Sequence, residues 1–465
     1  MGKIINKCFI SALLSAIMFT LISCDKYLNV SPKGVQLLTT VTDYDQWLNA
    51  RDLEISIARE INYLADNIDN PNITNPQISS IDRAYTWQSQ LSEDVNDMPY
   101  IWSYHYKCIY CYNTVLEGID DAVGSDQEKK SLKAEALLGR AFEYLYLVNL
   151  YGKQYNSSTA NEDLAIPFVT SNDLMSSIPD RSTVQQIYDH IITDITAAIS
   201  GLPQDNNNNR FRGSVSAAYG VLARTYLYMG KFVKAAENAN LALDNGPNEV
   251  LDYSTMTDSR DIPNLPTRPD AIYARLSVSY LVRETPALTF LRSFDQTDLR
   301  LQFYYKNLQD YSFTTRGQVQ YWSYGAKIGN AHANWGISVA EMRLIIAEAA
   351  ARANDLPEAI RQLDLVRKCR FKAADYFKYD PANPVQEEVL QKVLQERTLE
   401  FPFCGMRWFD MRRLDAEGRM PEVNRYDGSG NVIATLPAHS NKYTLQIPLQ
   451  VMYFHSDWPQ NSWDE

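Results

Sequence analysis

The chain has little of what usually marks an enzyme with a cofactor or a metal. Its 465 residues include five histidines and six cysteines, none with the spacing of a zinc site. It lacks the glycine-rich nucleotide-binding patterns, the H-E-x-x-H pair and the G-x-S-x-G nucleophile motif. Nucleotide-binding and zinc-protease functions therefore lose their usual support, and we predict no catalytic residue, no cofactor and no metal.

Glycine and clustered positive charge are also scarce. Only 19 Gly and 20 Pro are present, and the many Ala and Leu residues argue against an all-β sandwich. The formal net charge is −12, without a Lys/Arg-rich run, so we expect no nucleic-acid or anionic-membrane surface. With 45% hydrophobic residues, the chain is nevertheless globular and long enough to bury a large core.

The N-terminal apolar run is too short to span a membrane. It covers residues 8–22 after Lys3 and Lys7, whereas a membrane-spanning helix needs about 20 residues. A basic start, a short apolar middle and small residues before Cys24 are typical of a bacterial lipoprotein signal peptide. We therefore expect residues 1–23 to be removed and Cys24 to be lipidated. An ordinary secretory signal is the alternative.

Two of the remaining cysteines form a C-x-x-C pair. Cys108 and Cys111 have the spacing of redox and zinc sites, but no second pair accompanies them. They lie in the helical pattern 102–116, so we interpret them as small apolar residues on one helix face.

A repeat points to the architecture. Residues 222–242 follow the spacing of a tetratricopeptide unit, with a turn at Gly230, and residues 346–366 repeat that register 124 positions later with Asn354 at the turn. Two units so far apart form no tandem array. We therefore predict a mainly α fold, a tetratricopeptide-like scaffold of helical hairpins with long irregular loops and a few short strands. The predicted hairpins lie near 100–152, 183–245, 337–370 and 386–415.

The segments between the hairpins carry other signals. Residues 286–335 mix short alternating apolar runs with aromatic residues, which indicates strands or irregular loops. Residues 425–436 read as a hairpin whose turn superficially resembles a calcium loop, but the twelfth position is Ala438 instead of a carboxylate. No Ser/Gly-rich linker divides the chain, so we expect residues 24–465 to form one domain.

Aromatic residues are the main candidates for ligand binding, since the chain has 30 Tyr, 16 Phe and 8 Trp. The helical spacing of Trp102, Tyr106 and Ile109 predicts core packing. Rings in loops can instead stack on a sugar or a peptide side chain, although each can also fill a gap beneath its loop. We predict ligand-face insertions near 62–99 and 252–335. The candidate ligand-binding residues are Asp66, Asn67, Arg83, Tyr85, Trp87, Tyr321, Trp322, Tyr324 and Trp335.

Several short elements follow one another in an order that one family shares. They are residues 24–29, the set Trp102, Tyr106, Ile109 and Asn113, residues 134–152, Asp298 with Arg300, residues 347–349, Glu396 with Arg397, Glu400 with Phe401, residues 405–413, Ile447 with Pro448, and Gln460 with Asn461. Together they resemble the SusD/RagB nutrient-binding lipoproteins of Bacteroidetes outer membranes. Cys404 departs from this pattern, since it stands where the family has Glu, and so does Pro402.

This resemblance implies a fold, a partner and a location. The implied fold is the SusD-like helical scaffold, anchored at the outer membrane through Cys24 and facing the exterior. The implied partner is a SusC-like TonB-dependent transporter, and the implied ligand is an oligosaccharide or, in the RagB branch, a peptide. No catalysis is implied. A surface glycoside hydrolase that uses two carboxylates and a scaffold that binds only proteins are the alternatives.

Overall fold

The computed structural model describes residues 38–257, 259–278, 283–306, 311–322 and 333–463. The signal peptide, Cys24 and Tyr324 lie outside the described residues, and only the backbone of Trp322 is described. The helices are α1 Val41–Leu48, α2 Arg51–Glu54, α3 Glu60–Leu64, α4 Ser80–Tyr85, α5 Tyr100–Gly118, α6 Asp126–Tyr151, α7 Val184–Ile199, α8 Val215–Tyr228, α9 Phe232–Asp244, α10 Leu288–Leu291, α11 Leu299–Tyr304, α12 Val339–Arg352, α13 Leu356–Arg367, α14 Gln386–Glu400, α15 Met406–Ala416 and α16 Leu449–Phe454.

The strands are short and lie between the helices. They are β1 Ile68–Asp69, β2 Leu164–Pro167, β3 Arg181–Thr183, β4 Ala271–Tyr273, β5 Arg283–Pro286, β6 Tyr305–Lys306, β7 Gln320–Trp322, β8 Ile337–Ser338, β9 Val423–Tyr426 and β10 Val432–Leu436. The fold is therefore mainly α with a few short strands, as predicted.

The two predicted repeat units are helical hairpins. Helices α8 and α9 pack together around a turn at Gly230, where φ is +68°, and α12 and α13 pack around a turn at Asn354, where φ is +63°. Glycine and asparagine are the residues that adopt this left-handed conformation at least cost. Buried alanines, such as Ala235 and Ala239 of α9, allow the helices to approach closely. These features confirm the repeat.

Helix α6 lies in the centre of the main core and packs on both α5 and α7. Ser125 and Glu128 form a capping box that fixes its start. At Gly139 the helix has no side chain because the ring of Tyr112 from α5 occupies the space. A Cβ atom there would lie 2.2 Å from that ring. The crossing of α5 and α6 thus depends on a glycine that helix propensity alone disfavours.

The C-x-x-C pair lies on α5, as the helical pattern predicted. Cys108, Cys111, Cys369 and Cys404 are all buried and free. Burial raises the pKa of the Cys111 thiol to about 11. No group of metal-ligating side chains occurs among the described residues.

Four strands form an antiparallel sheet in the order β1, β5, β7, β6. Ile68 lies opposite Pro286, Arg283 opposite Trp322, and Tyr305 opposite Tyr321. This sheet joins the two segments that were predicted to form the ligand face. The same region also contains the short helices α10 and α11, where the sequence pattern indicated only strands or irregular loops.

The predicted hairpin near residue 430 is β9 paired with β10. The Asp427 carboxylate closes its turn by accepting hydrogen bonds from the backbone amides of Ser429 and Asn431, both at 2.9 Å. The carboxylate therefore has a structural role in the turn.

Buried ion pairs join the C-terminal helices. Arg413 of α15 pairs with Glu348 of α12 at 2.6 Å and with Asp410 at 2.8 Å, and Asp410 also pairs with Arg397 of α14 at 2.8 Å. Burial alone would raise the pKa of Glu348, but Arg413 and Arg352 hold it below its usual value. Most of these charges belong to the family-like sequence elements, so those elements tie helices together.

A second buried cluster surrounds Arg300 of α11. Its guanidinium group pairs with Asp298 at 2.7 Å and with Glu396 and Glu400 of α14 at 2.8 Å each. Nearby, Cys404 fills the position where the family has Glu. Burial raises the pKa of its thiol to about 12, so the substitution places a neutral group in the interior.

Candidate functional site

The first predicted ring cluster is buried. Trp87 is 2% exposed, and its indole N–H donates a hydrogen bond to the Leu64 carbonyl at 2.9 Å. The guanidinium carbon of Arg425 lies 4.4 Å from the centroid of the Trp87 ring and 4.5 Å from that of Tyr85. The Tyr85 hydroxyl donates to Asp69 at 2.9 Å. Neither ring presents an open face to a ligand.

Two of the three predicted polar partners of these rings, Asp66 and Arg83, have structural contacts as well. Asp66 accepts two hydrogen bonds from Arg407, at 2.7 and 2.6 Å, and although burial would raise the pKa of Asp66, Arg407 lowers it. Asn67 is buried, and its side-chain amide nitrogen is without a hydrogen-bond partner in the described part of the chain. Arg83 donates to the carbonyls of Gln90 and Gln77 and pairs with Glu93.

The second predicted cluster is likewise interior. Tyr321 is buried against Phe403, Tyr305 and Tyr304, with ring centroids 4.9, 5.5 and 5.6 Å away. Trp335 is 1% exposed, and its carbonyl accepts a hydrogen bond from Tyr146. These rings fill space beneath loops, which was the alternative to ligand stacking. The backbone of Trp322, which with Tyr324 completes this predicted cluster, lies in strand β7.

A cavity of about 60 Å³ lies beside Tyr321. Tyr253, Tyr304, Tyr305 and Asn334 also line it. This volume accommodates water but not a sugar ring. It does not serve as the site for an oligomeric ligand.

The structure instead has an open cleft of about 250 Å³ at the edge of the first predicted insertion. One wall comes from residues 78–101, which include α4 and the start of α5, and the other from residues 445–450. The polar lining residues mostly carry amides and hydroxyls, and several of the apolar ones are exposed, whereas Ile101, Tyr151 and Leu445 are buried. The residues from the first wall include Ile78, Gln88, Ser89, Gln90, Leu91, Ser92, Met98 and Tyr100, and those from the second include Gln446, Pro448, Leu449 and Gln450.

Gln90 connects the two walls. Its side-chain N–H group donates to the Gln446 side chain at 3.2 Å and to the Ile447 carbonyl at 3.1 Å, while its oxygen accepts from the Leu449 amide at 2.9 Å. Arg83 in turn donates to the Gln90 carbonyl at 2.7 Å. These contacts hold the cleft in shape before any ligand arrives.

The second wall is anchored by the family-like C-terminal elements. The Gln460 side chain both accepts from the Ile447 amide at 2.8 Å and donates to the Ile447 carbonyl at 2.9 Å. The Asn461 side chain donates to the carbonyls of Tyr151 and Leu445 at 2.8 and 2.7 Å. The chain end is thereby fixed against α6.

Tyr100 supplies an open aromatic ring at the cleft. It is 49% exposed at the start of α5, and its ring stacks on that of Tyr104 with centroids 5.8 Å apart. Ile78, Met98 and Leu449 are the neighbouring exposed apolar side chains. Such a surface suits the C–H face of a sugar, and the amides suit its hydroxyl groups.

Sequence reasoning identified the insertion that carries the first wall but not these residues. Glutamine is common on protein surfaces, and its spacing carries no signal of its own. The available signals were the cluster of Ser, Asp and Asn between residues 89 and 97 and the Ile447-Pro448 element.

A second and more apolar groove, of about 610 Å³, lies on the other side of α16. Phe168, Leu174, Ile178 and Phe454 are among its lining residues, together with Trp102 and Tyr106. Trp102 is buried and Tyr106 partly buried against the main core, in agreement with the core packing predicted from their spacing.

Two models of known protein families match separate segments of the chain. A family model described as "Starch-binding associating with outer membrane" matches residues 26–227, and a model described as the SusD family matches residues 301–454. SusD-like protein P2 of Formosa agariphila is 23% identical over an alignment of 408 positions, and the alignment covers 75% of this chain and 79% of that protein.

Solved structures share the fold over almost the whole chain. A SusD superfamily protein from Bacteroides thetaiotaomicron is similar with a TM-score of 0.73 and 21% identity, covering 91% of this chain and 100% of that one. Surface glycan-binding protein A from Bacteroides uniformis is similar with a TM-score of 0.70 and 20% identity, covering 91% and 99%. Both family-model matches and the shared fold agree with the ordered sequence elements, and the chain therefore belongs to the SusD/RagB family.

Proposed function

We propose that the protein is a cell-surface lipoprotein that captures an oligosaccharide and delivers it to a SusC-like TonB-dependent transporter. The observation that carries this proposal is the cleft, in which side-chain amides from two walls converge beside the exposed ring of Tyr100. Amides pair with sugar hydroxyl groups as both donors and acceptors, and an exposed ring stacks on the sugar's apolar face.

The relatives support this choice of ligand and location. One matching family model is described as starch-binding and associated with the outer membrane, and one protein of the same fold is called a surface glycan-binding protein. Attachment would come from lipid on Cys24, which lies outside the described residues. Within the described ranges, we find no helix with both the length and the apolar character needed to cross a membrane.

Binding without catalysis is the better account of Asp94, a carboxyl group that lines the cleft. A glycoside hydrolase needs a carboxylic acid that stays protonated near neutral pH, which requires a raised pKa. At Asp94, hydrogen bonds from the backbone and side chain of Asn96 lower the pKa instead. This carboxyl group is therefore poorly suited to donate a proton to a glycosidic oxygen.

Calorimetric titration of the purified protein with a panel of oligosaccharides and peptides tests the proposal. We expect at least one oligosaccharide to bind, and Tyr100→Ala to weaken that binding by up to about tenfold, since stacked rings contribute about 0.5–1.5 kcal/mol. Phe377→Ala is the matched control, because Phe377 is 80% exposed and outside the cleft.

Three outcomes would contradict the proposal. Release of shorter sugars by the purified protein would favour the hydrolase. Binding of peptides alone would favour the RagB-like role, and the absence of any small-ligand binding would favour a scaffold for proteins. For the transporter, we expect an affinity-tagged chain to co-purify with a TonB-dependent β-barrel from outer membranes.

A further inference from the structure

The lining of the cleft carries charge of one sign. Among the described residues that line it, Glu60, Asp94 and Asp97 have carboxyl groups, and none is a lysine or an arginine. Asn96 donates two hydrogen bonds to Asp94, both at 2.8 Å, and Ser92 donates one to Asp97 at 2.6 Å. Asp94 and Asp97 lie in the loop between α4 and α5, and Glu60 is the first residue of α3. A cleft with such walls concentrates a negative potential.

The basic side chains near this part of the chain already have acidic partners. Arg83 pairs with Glu93 at 2.9 Å, and Lys107 pairs with Asp52 at 2.8 Å. Arg59, next to Glu60 in sequence, pairs with Glu284. Anionic ligands are usually recognised by arginine or lysine through charge-assisted hydrogen bonds. The cleft lining offers an anion no such partner.

The uncharged polar groups of the cleft lining suit a neutral ligand. Gln88, Gln446 and Gln450 bring amides to the cleft, and Ser89 brings a hydroxyl group. Each of these groups both donates and accepts, which matches a sugar hydroxyl and does not compensate a full charge. The lining therefore combines good partners for uncharged sugars with like-charge repulsion for acidic ones.

We propose that this cleft selects uncharged glycan chains and rejects chains that carry carboxylate or sulfate groups. The inference rests on the proposed function, because it specifies the ligand class of the same site. The repulsion acts between fixed carboxyl groups and a ligand confined within a few ångströms of them, so it weakens as salt screens the charges.

Neutral polysaccharides compared with their own charged derivatives test this proposal. Starch, xylan and laminarin are each titrated beside their carboxymethylated forms, at low salt and with EDTA present so that no divalent cation bridges carboxylates. We expect the best neutral ligand to bind about tenfold or more tightly than its carboxymethylated form, with the ratio shrinking as salt is added.

A pair of double variants isolates the cause. Asp94→Asn/Asp97→Asn should reduce the neutral-to-charged affinity ratio at least threefold by improving binding of the charged form. Glu237→Gln/Glu249→Gln changes the net charge equally at exposed positions outside the cleft and should leave the ratio unchanged. Glu60→Gln provides an independent variant on α3 in case the loop variant does not fold, as judged by circular dichroism.

The outcomes separate this inference from the proposed function. A wild-type preference for a carboxymethylated chain, or equal ratios in the two double variants, would overturn the selection for neutral glycans and leave glycan capture intact. Failure of every polysaccharide to bind would overturn glycan capture itself.

Discussion

At the scale of single residues, Gln90 decides whether the cleft has two fixed walls. Its side chain makes three hydrogen bonds to the segment Gln446–Leu449, which is more than 350 positions away in sequence. This residue is therefore a positioning group for the amides of the proposed ligand cleft.

Gln90→Ala is expected to weaken ligand binding about tenfold, which corresponds to about 1.4 kcal/mol, because the walls lose their shared hydrogen bonds. Calorimetry with the ligand found in the panel measures this change. Gln391→Ala, at an exposed position on α14, is the control and should bind as the wild type does. Equal affinities for the two variants would show that the bridge does not organise the cleft.

At the scale of helices, the hairpins illustrate what local patterns can predict. Gly230 and Asn354 mark their turns because few residues adopt a positive φ easily, and the buried alanines repeat with the helical period. Both signals are local in sequence. The contact of α5 with α6 adds a constraint that is not local, since Gly139 is required by a ring from the other helix.

Gly139→Ala should destabilise the fold by about 1–3 kcal/mol, although alanine favours helices, because the added methyl group meets the Tyr112 ring in a packed core. Urea unfolding measures the free energy. In a double-mutant cycle with Tyr112→Ala, the two effects should be less than additive, since the smaller side chain makes room for the methyl group. Strict additivity would mean that the ring is not the obstacle.

At the scale of the whole molecule, buried charges connect helices that are far apart in sequence. Glu348, Asp410, Arg397 and Arg413 join α12, α14 and α15. Removal of one partner leaves the other charge buried and uncompensated. The family-like sequence elements that contain these charges therefore serve chiefly to hold the helices of the scaffold together.

Arg413→Met is expected to cost about 3–5 kcal/mol of unfolding free energy at neutral pH, whereas Arg413→Met/Glu348→Gln should recover much of that loss. The pKa of Glu348 is lowered in the fold, so its contribution exists above its unfolded value, near 4.5, and is lost as the pH falls through the lower folded value. Urea unfolding from neutral pH to about pH 2 should show the wild type approaching Glu348→Gln in stability. A constant gap over this range would contradict the assignment.

The proposed membrane attachment is also a property of the whole molecule. Cys24→Ser is expected to release the protein from the membrane fraction, because the proposed lipid has no other attachment point. Cys8→Ser, within the predicted signal peptide, is the matched control and should stay in the membrane fraction. Immunoblots of separated membrane and soluble fractions measure the difference. Equal partitioning of the two variants would contradict a lipid on Cys24.

The fold could be predicted from the sequence much further than the site. Periodicity, turn residues and ordered family-like elements are local signals, and they located the hairpins and the β9–β10 turn. The sequence predicts that Trp87 and Trp335 lie in loops. Whether the ring of a loop residue is buried depends on residues far away in the chain. Arg425, more than 300 positions after Trp87, covers that ring, and no local pattern contains this information.

The position of the second wall has a consequence for biosynthesis. Residues 445–450 complete the cleft, and Gln460 and Asn461 anchor them. The cleft therefore cannot form until synthesis has passed residue 461, so a chain interrupted before that point would contain the first wall without the second.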